Sequence, residues 1–320
     1  MRKILVIAVI SGLLALAGCG DTSTPVSTSP TILPSQTVVT GTVGPKLAKA
    51  VLAASELVVG DNRFVFGLLD SVTGQPISYV PQTSIQFFKV NDDGTATKTG
   101  DGEIIYRSEN LPAGLYVVQT TFDKPGNWGA LVTVTPENAE AYAQQMNFTV
   151  GTDSDVPLPG EAAPPSKNLV VADVAGVGEI CSAVPHDDMH TMTIEEAVKS
   201  GKPSIVLFAA PGFCPSFTCG PDLELVQKIQ EKYRDKANFI HIEAPNEIQN
   251  HAHDEPVEEE HNQETGHQGV KKPQVKTAEE WGLKTEPWLF ILDKDGNIAQ
   301  RYEGGLTLDE VLPAFEKVVQ

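Results

Sequence analysis

The stretch "PSIVLFAAPGFCPSFTCGPDLELV", residues 203–226, does most to limit the fold. Its first half is an unbroken apolar run that reads as a fully buried strand. Its second half opens a helix: Pro221 suits a first helical turn, and Leu225, Val226, Ile229 and Tyr233 recur at helical spacing as one apolar stripe. A strand buried on both faces and followed by a one-sided helix belongs in a layered α/β domain. Cys214 and Cys219 stand at the junction of the two elements.

The flanking sequence supplies the other layers. "TIEEAVKSG" begins with a capping box, Thr193 to Glu196, and stops at Gly201. "NFIHIE" is a second strand, parallel to the first if the helix joins them. "TAEEWG" reads as a short helix capped by Thr277 and Glu280. "PWLFILDKDGNIAQRYEG" gives two strands through an Asp-Gly turn, and "TLDEVLPAFEKVV" gives a closing helix with a third capping box, Thr307 to Glu310. Residues 168–320 are therefore expected to form an α/β domain with a mixed sheet flanked by helices, carrying a polar insertion at 246–267.

Upstream the grammar differs. Residues 56–150 hold short β-rich runs such as "RFVFGLL", "SIQFFKV" and "LYVVQTTF", broken by "TGQP", "NDDG" and "DKPGN". That spacing predicts an immunoglobulin-like antiparallel β-sandwich, a spacer or binding module without a His, Cys and carboxylate cluster. Residues 151–167, rich in Pro and Gly, are a linker.

The first residues, "MRKILVIAVISGLLALAGCG", combine a basic start with a short apolar stretch, the pattern of an export signal over residues 1–19. "LALAGC" resembles the bacterial lipobox, which implies lipidation of Cys19 and attachment to the extracytoplasmic face of the cell membrane. Two acyl chains suffice for such an anchor. Residues 20–50, rich in Ser, Thr and Pro, read as a solvated stalk. A net charge of −19 argues against nucleic acid as a partner. Of four cysteines, three remain when Cys19 is set aside, and export to an oxidising compartment permits pairing.

The order of elements, the "FAAPGFC" junction, "CGP" at Cys219 to Pro221 and "TEPWLFILDKDG" together resemble the thioredoxin family, over residues 166–320. The resemblance implies a cis Pro287 packed against a redox disulfide, and a chain similar to bacterial extracytoplasmic thioredoxin-domain lipoproteins. Three departures stand out. The family's C-x-x-C is here C-x-x-x-x-C, Asp222 follows Gly220-Pro221 where a second cysteine would stand, and Leu207 replaces the family's buried acid.

The cysteine pair admits a redox, a structural or a metal-binding reading. A cysteine at a helix N-terminus has its thiolate stabilised by the helix dipole and free N–H groups. Disulfide exchange with exported thiol or disulfide proteins, through Cys214 and Cys219 with Pro287 shaping the site, is the function expected, with no cofactor required. The alternative is a non-catalytic lipoprotein that handles copper or zinc or docks a partner, its disulfide structural. The insertion supports it through His251, His253, His261 and His267, set among carboxylates and able to hold a divalent metal; a polar run of that kind is equally a solvated loop. The copper-binding branch of the resembled family adds a histidine near the X-Pro loop, which "GLKTEPW" lacks. Cys181 is expected to be a free, buried thiol, and His186, His190 and His241 surface or packed histidines.

Overall fold

The computed structural model describes residues 48–137, 140–214, 216, 218–243 and 273–320. Cys19, the expected export signal, nearly all of the expected stalk and the four insertion histidines, His251, His253, His261 and His267, lie outside the described residues.

Eight strands build the first domain: β1 (Ala48–Leu52), β2 (Gly60–Asp70), β3 (Gln82–Val90), β4 (Ala96–Gly102), β5 (Ile104–Arg107), β6 (Leu115–Phe122), β7 (Gly126–Thr135) and β8 (Tyr142–Val150). They form two antiparallel sheets, ordered β1-β2-β6-β5 and β4-β3-β7-β8. Alternation drives the packing: Phe64, Phe66, Phe87, Tyr116, Phe122 and Trp128 all point inward and make one aromatic-rich core. Two strands escaped sequence reading. β1 begins inside the stretch expected to be stalk, and β4, "ATKTGDG", has no apolar alternation because its residues are mostly exposed at a sheet edge.

The second domain runs α1 (Ile194–Lys199), β9 (Ser204–Phe208), α2 (Cys219–Tyr233), β10 (Asn238–Ile242), α3 (Pro273–Glu280), β11 (Trp288–Leu292), β12 (Ile298–Glu303) and α4 (Leu308–Val318). The sheet order is β10-β9-β11-β12, with β10 and β9 parallel and the other pairs antiparallel, the mixed sheet expected. Both faces of β9 are covered, which explains its unbroken apolar run. Ile205 and Leu207 face α2 and α4, whereas Val206 and Phe208 face α1 and Trp281.

The capping of α1 is as expected: the Thr193 side chain accepts the Glu196 N–H, and Glu196 accepts the Thr193 N–H. Two expectations need correction. α3 starts at Pro273, so Thr277 lies inside the helix instead of capping it. Thr307 precedes α4 without a side-chain cap bond; its hydroxyl turns to Asp309, and Glu310 is drawn away by Arg63 of the other domain.

That contact helps hold the two domains together. Arg63 in β2 meets both Glu310 carboxylate oxygens, at 2.7 and 3.0 Å, and also donates to the carbonyls of Glu303 and Gly305. Arg301 pairs with Glu56 at 3.0 Å, and Arg107 with Asp309. A Cβ on Gly305 would fall 2.9 Å from Leu111 and 3.0 Å from Thr218, so the sandwich packs up to the start of α2.

Candidate active site

β9 ends at Phe208, and six residues later the chain reaches Cys214; Cys219 is the first residue of α2. The two are joined in a disulfide with a Cα separation of 6.0 Å. Their exposure differs: Cys219 is fully buried at 0% and Cys214 reaches 9%, so Cys214 is the more accessible sulfur. Cys214 Sγ lies 3.1 Å from Ser216 Oγ, itself 2.8 Å from Thr218 Oγ1, a short hydroxyl chain leading to the helix start.

Two further groups frame the pair. The Glu286–Pro287 peptide is cis and Pro287 is buried. A Glu286 carboxylate oxygen and both sulfurs lie within 4.8 Å of one another, which puts the Pro287 loop beside the disulfide. Asp222, one turn beyond Cys219 on the same helix face, is also fully buried. Its Oδ1 accepts the Leu306 N–H at 2.9 Å and its Oδ2 has no partner. Burial therefore drives its acidity well below that of an ordinary carboxyl, raising the pKa against the opposing pull of Leu306 N–H and Arg63.

A second polar cluster lies in the same core as the disulfide, and sequence reading missed it. His241 on β10 faces the same side of the sheet as its neighbour Leu207. Its Nδ1 lies 2.8 Å from Asp187 Oδ2, and its Nε2 donates to the Ala209 carbonyl at 3.1 Å. His190 Nε2 and Cys181 Sγ approach the same Asp187 oxygen at 3.3 and 3.4 Å. Burial disfavours charge on every member, but their mutual hydrogen bonds prevail. His241 is pushed up to about 9, the Cys181 thiol is brought down to about 6, and Asp187 is held well below the usual carboxylate range. Cys181 is free and buried, as expected, and His190 and His241 are packed, also as expected, around one shared carboxylate.

Residues 191–319 match the family model of the thioredoxin-like domain. The second domain is a thioredoxin-like domain. The match covers under half of the chain. Among solved structures the chain is similar to a putative thiol:disulfide interchange protein DsbE from Chlorobium tepidum, with 13% identity over 51% of this chain and 99% of that one and a TM-score of 0.33. It is similar also to a thioredoxin-family thiol:disulfide interchange protein from Chlorobium tepidum TLS, with 15% identity, 53% and 100% coverage and a TM-score of 0.30. A third is CopC from Methylosinus trichosporium OB3b, with 11% identity, 34% and 96% coverage and a TM-score of 0.22. No curated protein matches the chain.

The thioredoxin-like domain thus brings Cys214, Cys219 and Pro287 to one place, and adds Glu286 and Asp222. The signal for Asp222 was in the sequence. It stands four residues before Val226, on the stripe that becomes the buried face of α2.

Proposed function

We propose that this protein is an extracytoplasmic, membrane-tethered thioredoxin-like protein that exchanges disulfides with exported proteins through Cys214 and Cys219. The observation that carries the reading is the placement of the pair: Cys219 sealed at the first turn of α2, Cys214 at the rim, and the Pro287 loop alongside. A partner thiolate attacks Cys214 Sγ, the Cys214–Cys219 bond breaks, and Cys219 leaves as a thiolate stabilised by the N-terminus of α2. The partner's second thiolate then attacks the mixed disulfide and releases Cys214, so that the partner loses two electrons and the protein gains them. Run backward, the same steps reduce a partner's disulfide.

Asp222 supplies the proton inventory. Burial raises the pKa of its carboxyl, one helical turn from Cys219, which suits it to hold a proton near the departing Cys219 thiolate. It serves on α2 in place of the acid that Leu207 displaces from β9.

Replacing either cysteine by serine tests the reading. Cys219→Ser is expected to trap a mixed disulfide at Cys214, and Cys214→Ser to abolish exchange. Full exchange by both variants would exclude it and leave the disulfide structural, in a metal-handling or partner-docking lipoprotein.

A further inference from the structure

We propose that Cys181, Asp187, His190 and His241 form a buried transition-metal site, of a chemistry suited to zinc, behind the disulfide. Each residue offers one donor atom, and the four atoms all lie within 4.8 Å of one another. Tetrahedral zinc with bonds of about 2.0–2.3 Å needs donor–donor edges of about 3.3–3.8 Å. Asp187 Oδ2 already stands 3.3 Å from His190 Nε2 and 3.4 Å from Cys181 Sγ, with His241 Nδ1 at 2.8 Å. The last contact would widen by under 1 Å on binding, and the remaining donor pairs already stand within 4.8 Å of one another.

Two of the donors, on His241 and Asp187, are held from behind as metal ligands commonly are. A metal-binding histidine typically gives its other N–H to a carbonyl or carboxylate, which fixes the ring. His241 does so at 3.1 Å to Ala209 O, leaving Nδ1 aimed at the cluster. Asp187 Oδ1 is held by the Met189 N–H at 3.0 Å, which turns Oδ2 inward. One thiolate, two imidazoles and a carboxylate are a donor set that suits zinc. All four residues are buried, whereas the loop between Cys181 and Asp187 is at the surface, with Val184 94% exposed, and offers a way in. Binding displaces the protons on His241 Nδ1 and His190 Nε2 and any proton on Cys181 Sγ.

The site would tie two regions together. Three ligands come from the segment before α1 and the fourth from β10. The same segment already grips the turn that leads to Cys214, through the Gly212 N–H to Ser182 Oγ at 2.9 Å. A metal here would brace the floor of that turn without touching the disulfide sulfurs.

The test uses the full chain in its disulfide form with His251, His253, His261 and His267 changed to alanine, so that the insertion histidines do not contribute. Titration with cobalt(II) is expected to give one equivalent bound, with a thiolate-to-cobalt charge-transfer band. Zinc is expected to displace the cobalt and to protect Cys181 from iodoacetamide by about 10-fold or more, read at the Cys181 peptide. Cys181→Ser should lose the band. Asp187→Asn keeps the side-chain shape and the thiol, and should weaken binding by about 10-fold or more should the serine variant fail to fold. Absence of a thiolate band and of zinc protection in the folded parent chain would overturn the site, as would unchanged binding in Asp187→Asn and Cys181→Ser.

Discussion

The Asp222 carboxylate accepts the backbone N–H of Leu306 at 2.9 Å with one oxygen and leaves the other bare in a sealed core. This joins the helix that carries Cys219 to the loop before α4, and it places an acid with a raised pKa one turn from the buried sulfur. The Arg63–Glu310 pair acts on that acidity in opposite directions, Arg63 lowering and Glu310 raising the pKa.

A pH dependence follows with a definite sign. Between the ordinary carboxylate pKa and the raised folded one, the folded chain keeps a proton that the unfolded chain has lost. Stability therefore falls as pH rises through that interval. Asp222→Asn, which cannot ionise, is expected to remove this part of the slope and to be more stable than the parent at pH 8. Denaturant midpoints from pH 4 to pH 8 measure it, and parallel profiles for the two proteins would refute it.

Glu286 is expected to tune the sulfurs. Its carboxylate, within 4.8 Å of both, disfavours a thiolate at Cys214 once the disulfide is open. Glu286→Gln should lower the Cys214 thiol pKa in the reduced protein and make the disulfide the stronger oxidant. Thiolate absorbance against pH, together with equilibration in thiol buffers, reads both. An unchanged pKa would mean that the charge is not felt at the sulfur.

The domain interface depends on Arg63. Its side chain is 10% exposed and that of Glu310 is 6% exposed, so removing the arginine strands a buried carboxylate. Arg63→Ala is expected to cost about 3–5 kcal/mol. The sandwich and the thioredoxin-like domain should then unfold in separate transitions, seen by calorimetry. A single unshifted transition would show that the pair contributes nothing.

Much of this architecture was legible because local signals and burial agreed. The Thr193–Glu196 box, the unbroken run of β9, the stripe of α2 and the Asp295–Gly296 turn, with Gly296 at φ 81°, each specify their element from neighbouring residues alone. Thr307 and Glu310 show the limit. They spell a capping box, yet Arg63, 247 residues before Glu310, takes the glutamate. The Cys181, Asp187, His190 and His241 cluster was hidden for the same reason, since the fold brings His241 to Asp187 across 54 residues. Its traces were the density of Cys, His and Asp in "CSAVPHDDMH" and a histidine at an inward position of "NFIHI", where alternation calls for an apolar residue.

The reduction potential of the Cys214–Cys219 disulfide tests the central claim most directly. The protein is equilibrated in thiol buffers of known poise, and free thiols are trapped and weighed by mass spectrometry, with the Cys181 peptide read separately. Disulfide exchange as the function predicts a value between about −120 and −270 mV, the span of disulfide oxidoreductases. A value below about −300 mV would mark a structural bridge and contradict it.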